Sequence, residues 1–328
     1  MMQPPNRVKI GRFPTPIERL EKLSLACQGA DIYVKRDDLS GMAISGNKIR
    51  KLEFLLAAAQ KEKCQIVITC GAAQSNHART TAVAAAKLGL RSHLFLRNDA
   101  GGSGTDGNLL LARLVGAEVT FVSASQYEQI DDVMLRAAED YSKSGSRAYV
   151  IPEGGSNVLG AWGYALAMEE LASQMETLGI SFDHVVCAVG SGGTLAGMLL
   201  GSVLLGMKCQ IHGINVCDTP EFFQNRVANI LRAALPDRQD LQQLAVSQIN
   251  LIGNYVGKGY GFSSQQELDF IKRIAGTEGM ILDPVYTGKA LLGVAEETKK
   301  GRFRKGEKLL FWHTGGIFGL FPKRALFY

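Results

Sequence analysis

Gln65-Ile66-Val67-Ile68-Thr69-Cys70 is an unbroken apolar strand, Gly71-Ala72-Ala73-Gln74-Ser75-Asn76-His77 a loop, and Ala78 to Leu88 an alanine-rich helix that Gly89 ends. A strand with no polar alternation is one covered on both faces, as in a parallel sheet. The same unit recurs downstream. Ser92 to Leu96 is the next strand, Gly101-Gly102-Ser103-Gly104 a flexible loop, Asn108 to Val115 a helix and Glu118 to Val122 a strand. A polar helix from about Gln126 to Lys143 leads to the strand Ala148 to Ile151. Beyond Gly154-Gly155 come a helix (Leu159 to Leu178), the strand His184 to Val189, a helix (Thr194 to Leu205) and the strand Gln210 to Val216. Helices near Glu221 to Leu235 and Ser264 to Gly276, another from about Gly288, and the strand Leu309 to Trp312 complete the pattern. Alternating strands and helices predict an α/β protein with parallel sheet covered by helices. Glycine turns after strands in separate halves, Gly154-Gly155 and Gly190 to Gly193, point to two such sheets.

Composition narrows the function classes. The 328 residues exceed one typical domain, with 46% hydrophobic and 20% charged residues and a net charge of +5. The basic residues are scattered except for Lys299 to Lys305, which reads as a solvated turn and no nucleic-acid surface. Six cysteines without a C-x-x-C pair, three of them in strand-like runs, predict buried thiols in a reducing compartment. Met1 to Pro5 has no apolar core of a signal peptide, and the apolar run Ala196 to Met207 is too short to span a bilayer. The expectation is a cytoplasmic protein with no membrane partner. Cys209 and His212 lie on opposite faces of a strand, so no metal site is expected.

Upstream of the strand–helix units, Ser45-Gly46-Asn47-Lys48-Ile49-Arg50-Lys51 closes a turn and opens a helix on which Leu52, Leu55, Leu56 and Ala59 recur at helical spacing. Asn47 is expected as its N-cap, placing Lys48 in the first turn, where the positive helix end disfavours a second positive charge. A neutral amine there suits Schiff-base chemistry. The same residues also fit a solvated helix start, with Arg50 and Lys51 alongside. Gly41 to Lys48 only imitates an ATP-binding loop, because Asn47 intrudes and Ile49 stands where a magnesium-binding hydroxyl belongs. Val189-Gly190-Ser191-Gly192-Gly193-Thr194, between a strand and a helix, suits a single phosphate better than a dinucleotide. Gly71 to His77 presents amides and the Ser75 hydroxyl at the carboxyl end of a parallel strand, where a carboxylate would sit well. His77 reads as a hydrogen-bonder of that loop rather than a base. Tyr260 between Gly259 and Gly261, Asp283-Pro284-Val285-Tyr286-Thr287-Gly288-Lys289 and His313-Thr314-Gly315-Gly316 are further loop candidates.

Taken in order, Gly46-Asn47-Lys48-x-Arg50-Lys51-Leu52-Glu53, Gln74 to His77, Pro152-x-Gly154-Gly155-Ser156-Asn157, Gly190 to Thr194, Asp283 to Lys289 and His313 to Gly316 resemble one family. It is the D-cysteine desulfhydrase and 1-aminocyclopropane-1-carboxylate (ACC) deaminase family, pyridoxal-phosphate (pyridoxal 5'-phosphate) enzymes of the tryptophan-synthase-β fold, fold type II. The resemblance runs from about Phe13 to Phe318. It implies two open, twisted, mainly parallel sheets, with a small domain (52–164) inserted into a large cofactor-binding domain (1–51 with 165–328). It implies that Lys48 carries the cofactor as a Schiff base and that Gly190, Ser191, Gly192, Gly193 and Thr194 hold its phosphate. Asn76 would contact the ring hydroxyl and Thr314 would face the pyridine nitrogen. Ser75 would take the substrate carboxylate beside Asn76 and His77, and Tyr260 and Tyr286 would line the substrate side. A homodimer is also implied.

The function expected is α,β-elimination of D-cysteine, a small amino-acid substrate, with Lys48 moving the α-proton and a tyrosine serving the departing thiol. Within the same chemistry ACC deaminase is the rival. The family's glutamate after the tyrosine of the Asp-Pro-Val-Tyr loop, which engages the pyridine nitrogen, is here Thr287, and this departure favours elimination. Cysteate and β-chloro-D-alanine stay open as substrates. A catalytically silent phosphate or nucleotide binder is the reading from another class, and it would not need Lys48, Tyr260 and Tyr286 together.

Overall fold

The computed structural model describes residues 3–97 and 105–328. One sheet has six strands: β1 (Ile17–Arg19), β2 (Asp31–Arg36), β7 (His184–Val189), β8 (Gln210–Asn215), β9 (Asn250–Ile252) and β10 (Lys308–His313). Their order is β1-β2-β10-β7-β8-β9, parallel throughout except for the edge pair β1–β2. The second sheet has four parallel strands, β3 (Ile66–Ala72), β4 (Arg91–Arg97), β5 (Glu118–Val122) and β6 (Ala148–Val150), in the order β5-β4-β3-β6. Every residue of β7 is buried, and six of the seven in β3, because helices cover both faces.

Twelve helices connect the strands among the described residues. The first seven are α1 (Glu21–Cys27), α2 (Lys48–Lys61), α3 (Asn76–Lys87), α4 (Gly107–Leu114), α5 (Ala124–Glu128), α6 (Ile130–Lys143) and α7 (Val158–Leu178). After them come α8 (Gly193–Leu205), α9 (Pro220–Ala234), α10 (Gln239–Ser247), α11 (Gln265–Glu278) and α12 (Thr287–Lys299). The expected polar helix over 126–143 is two helices. A capping box of Ser123 and Gln126 starts the first one early, and Gln129 leaves helical geometry at φ −112°, ψ 31°. The strands β1 and β9, three residues each, are too short to show a period, and α1 and α10 also escaped the sequence pattern. The expected loop Gly101 to Gly104 lies outside the described residues.

Packing fixes where the Lys48 helix sits. A Cβ on Gly163 of α7 would stand 2.4 Å from the Arg50 carbonyl oxygen, so only glycine lets α7 lie against α2 this closely. Beneath them Arg50 is buried among charges: its guanidinium pairs with Asp37 at 2.8 Å and with Glu170 at 2.9 Å, and stacks 4.0 Å from the Phe13 ring centre. Lys35 also pairs with Glu170, and the Tyr164 hydroxyl donates to Asp37 at 2.6 Å. Arg50 and Lys35 hold Asp37 at about 2, against its own burial. A buried charge set this fully partnered locks β2, α2 and α7 in one arrangement, since removing Arg50 would leave buried Asp37 without its ion-pair partner. No helix among the described residues is long and apolar enough to cross a membrane.

Candidate active site

The loops at the carboxyl ends of both sheets meet around a cavity of about 310 Å³. Lys48, Ser75, Asn76 and His77 line it from one side, and Gly190, Ser191, Gly192 and Thr194 from another. Tyr260, Tyr286 and Thr314 close it. Of the residues that the resemblance assigns to cofactor or substrate, only Gly193 is not in the lining; it lies just behind, where a Cβ would fall 2.6 Å from Ser156 Oγ and 2.9 Å from Lys51 Nζ.

Lys48 opens α2, but Asn47 does not cap that helix. Its backbone is already helical (φ −62°, ψ −22°), and its Nδ2 donates instead to Thr194 Oγ1 at 3.1 Å. The side chain thus spans from the lysine helix to the glycine loop before α8. Gly46 and Gly315 cross so tightly that a Cβ on Gly315 would fall 2.7 Å from Gly46 Cα, and Asn47 N–H donates to the Thr314 carbonyl at 3.0 Å. This crossing brings Thr314 beside Lys48. Burial pushes the Lys48 amine down to about 8, with Glu153 pulling the other way. Burial therefore does most of what the helix end was expected to do.

Ser75 caps α3, its Oγ accepting from Ala78 N–H at 3.1 Å, so its own O–H stays free to donate. His77 Nε2 lies 2.9 Å from Thr69 Oγ1, and burial, then Lys48 and Lys51, hold the ring well below the usual histidine range. It is a neutral hydrogen-bonder. The Tyr260 and Tyr286 hydroxyls are 2.8 Å apart, and burial pushes Tyr260 up to about 12 and Tyr286 well above its ordinary value. Both are therefore protonated near neutrality. Tyr286 lies against Gly190, where a Cβ would come within 2.7 Å of its ring.

Thr287 behaves differently from its neighbour. Its hydroxyl donates to Asp283 Oδ1 at 2.7 Å and accepts from Asp283 N–H at 2.8 Å, fully buried and outside the cavity lining. Asp283 also takes the N–H groups of Val285, Tyr286 and Thr287, which shapes the start of α12. Thr287 meets an aspartate, and of Thr287 and Thr314 it is Thr314 that lines the cavity.

Several site residues escaped the sequence reading. Lys51 is buried rather than solvated, with Nζ 3.2 Å from the Gly154 carbonyl. Burial, then Lys48, then Arg226 drive its amine well below the usual lysine range. Its spacing of three from Lys48, on the same helical face, was the available signal. Glu153 fills the open position of the Pro152-x-Gly154 motif and accepts from the Tyr127 hydroxyl at 2.6 Å. Tyr127 had no signal at all. Lys289, another lysine near the site, is spent on the carbonyls of Val256 (2.6 Å) and Gly259 (2.9 Å), holding the loop that carries Tyr260.

The arrangement tests well against a phosphorylated carbonyl cofactor. Lys51 is a buried amine facing neutral oxygens beside the loop whose Ser191 and Thr194 line the cavity; an anion there would pair with its protonated form. A lysine with a depressed pKa stands at the other end of the same space. No group of three or more metal-ligating side chains occurs among the described residues.

Known proteins agree with this geometry. Residues 8–315 match the family model described as "Pyridoxal-phosphate dependent enzyme". A mitochondrial bifunctional D-cysteine desulfhydrase/1-aminocyclopropane-1-carboxylate deaminase of Arabidopsis thaliana is 43% identical over 331 residues, covering 98% of this chain and 80% of that protein. A Thermotoga maritima protein provisionally named a 1-aminocyclopropane-1-carboxylate deaminase is 44% identical over 321 residues, covering 97% and 98%. The crystal structure of an ACC deaminase homologue superposes with a TM-score of 0.88 at 38% identity, over 98% of this chain and 95% of that one. Threonine deaminase isoform 2 of Solanum lycopersicum shares the fold alone, with a TM-score of 0.62 at 18% identity, covering 92% and 79%.

Proposed function

The chain belongs to the family of pyridoxal-phosphate dependent enzymes, and on that premise we propose that it is a carbon–sulfur lyase that converts D-cysteine into pyruvate, sulfide and ammonia. The observation that carries this reading is the shared cavity: the Lys48 amine, held near 8, and the hydroxyl pair of Tyr260 and Tyr286 line the same space.

Pyridoxal phosphate, when bound, supplies the sink for the electron pair left at the substrate α-carbon. Gly190 to Thr194 and Lys51 would hold its phosphate, Asn76 its ring hydroxyl and Thr314 its pyridine nitrogen. The chain's own residues do the rest. Ser75 donates its free O–H to the substrate carboxylate, helped by the unpaired N–H groups in the first turn of α3. Lys48, with a neutral amine at mildly basic pH, takes the α-proton. In the tyrosine pair one hydroxyl accepts from the other, so the accepting hydroxyl keeps a proton free for the departing sulfur. The Cβ–S bond breaks as that proton moves, and water hydrolyses the released 2-aminoacrylate to pyruvate and ammonia.

ACC is the second reading, favoured by the names of several relatives. It has no α-hydrogen, and its ring carbon leaves poorly. Its opening calls for a deeper sink than the neutral hydroxyl of Thr314 provides, while sulfur leaves easily. The test is purified protein given D-cysteine, L-cysteine and ACC, with sulfide, pyruvate and 2-oxobutyrate measured. Sulfide from D-cysteine at least about tenfold faster than from L-cysteine, with little 2-oxobutyrate, is expected. Efficient turnover of ACC would replace this reading by the other.

We also propose that 52–164 is a small domain inserted between 1–51 and 165–328, and that the protein is a cytoplasmic homodimer. The six free cysteines, five of them buried, support a reducing compartment. Limited proteolysis and light scattering test the first and last of these.

A further inference from the structure

We propose that Arg79, acting through Asn108, fixes which end of the Asn76 amide faces the cavity, so that Asn76 offers N–H donors there and never its carbonyl. Arg79 and Asn108 are thereby positioning residues. The inference rests on the reading above, in which a ring hydroxyl of the cofactor lies against Asn76.

An amide oxygen and nitrogen look alike, but the partners here leave one assignment. A guanidinium only donates. Arg79 Nε lies 3.0 Å from Asn108 Oδ1, so that atom is the oxygen. Asn108 Nδ2 is therefore its donor end, and it stands 2.9 Å from the Gln74 carbonyl, which can only accept. The same Nδ2 stands 2.9 Å from Asn76 Oδ1, which must then be the oxygen of Asn76. What remains for the cavity is Asn76 Nδ2. A parallel chain agrees: Asn108 N–H donates to Gln74 Oε1 at 2.9 Å, so Gln74 Nε2 donates to the Asp106 carbonyl at 3.0 Å.

The relay is anchored firmly enough to impose this order. Arg79 and Asn108 are buried, 0% and 1% exposed. The guanidinium also donates to the Ala43 carbonyl at 2.7 Å and to the Ser45 carbonyl at 3.2 Å, and packs 5.0 Å from the Phe318 ring centre. Ala43 and Ser45 belong to the segment that delivers Lys48. One buried arginine therefore ties the lysine's approach to the Gln74–Asn76 loop and also sets the polarity of that loop.

The chemical consequence falls on the cofactor. A donor facing a ring hydroxyl favours its anionic form, and an acceptor favours the protonated form. When the cofactor is joined to an amine, the phenolate form absorbs in the visible and the neutral form in the near ultraviolet. Arg79 thus sets the colour of the loaded protein from outside the cavity.

Asn108→Asp tests this with a change of one group, NH2 to O. The carboxylate keeps its bond to Arg79 but cannot donate, so Asn76 turns its nitrogen toward residue 108 and its carbonyl toward the cavity. The readout is the visible to near-ultraviolet absorbance ratio at one pH, with cofactor stoichiometry measured separately after denaturation. At full loading the ratio should fall by at least about fivefold, within the range one hydrogen bond to a charged group is worth. Arg79→Lys, still donor-only, should hold the wild-type ratio. An unchanged ratio in loaded Asn108→Asp overturns the relay. Should that variant fail to fold, Asn108→Ala removes the constraint without reversing it; its ratio should fall by about twofold or more, and a wild-type ratio there overturns the relay equally. Wild-type protein that takes up no cofactor would instead refute the site reading on which the relay stands.

Discussion

Replacing Thr287 by valine separates two roles for this position. Valine keeps the shape and removes only the hydroxyl, which bonds Asp283 twice: it donates to Oδ1 at 2.7 Å and accepts from the backbone N–H at 2.8 Å. Asp283 keeps three other donors, the N–H groups of residues 285, 286 and 287. Its carboxylate is therefore not stranded, but its own buried N–H loses its partner. An orphaned donor costs about 1–3 kcal/mol, and a lost bond to a charged group about 1.5 kcal/mol more, so the expected destabilisation is about 2.5–4.5 kcal/mol. The assay is urea unfolding of the cofactor-loaded protein, paired with kcat and KM for D-cysteine. Because Thr287 is outside the cavity lining, kcat/KM should stay within about threefold of wild type. Stability unchanged within about 0.5 kcal/mol, with kcat down tenfold or more, would mean that the hydroxyl serves the reaction and would refute the structural role.

Two further outcomes follow from the lysines. A Lys48 pKa near 8 leaves about a tenth of the amine neutral at pH 7, against roughly one part in 3,000 at the ordinary 10.5. Capture of pyridoxal phosphate by the cofactor-free protein should therefore accelerate with pH and level off above about 8, and a rate still climbing tenfold per unit at pH 9.5 would contradict the burial of that amine. Lys51→Met should act in opposite directions on the two states. It should stabilise the cofactor-free protein by removing a buried amine that has no counter-charge, and weaken cofactor affinity by at least about tenfold, or 1.4 kcal/mol. Unchanged affinity would place the phosphate away from Lys51.

The layers and the loops were legible because their causes are local. Continuous apolar strands such as β3 and β7, each followed by glycine or a helix cap, announce parallel sheet and open ligand-binding loops at the strand ends. Residues whose role depends on what another segment brings were not legible. Lys51 looks like any surface lysine until the Gly154 carbonyl and the Gly193 loop close over it. Thr287 follows Tyr286 by one residue yet faces Asp283, a direction that sequence order does not encode. Glu153 and Tyr127 meet across 26 positions at 2.6 Å, and neither residue's neighbours hint at the other. The cap expected at Asn47 failed for a related reason: Thr194, on a different helix, took its side chain.

The most direct test is covalent. Reducing the cofactor-loaded protein with borohydride and mapping its peptides should find pyridoxal phosphate on the peptide containing Lys48, whose amine alone among Lys48, Lys51 and Lys289 lines the cavity. Label on Lys51 or Lys289, with Lys48 unmodified, would contradict the account.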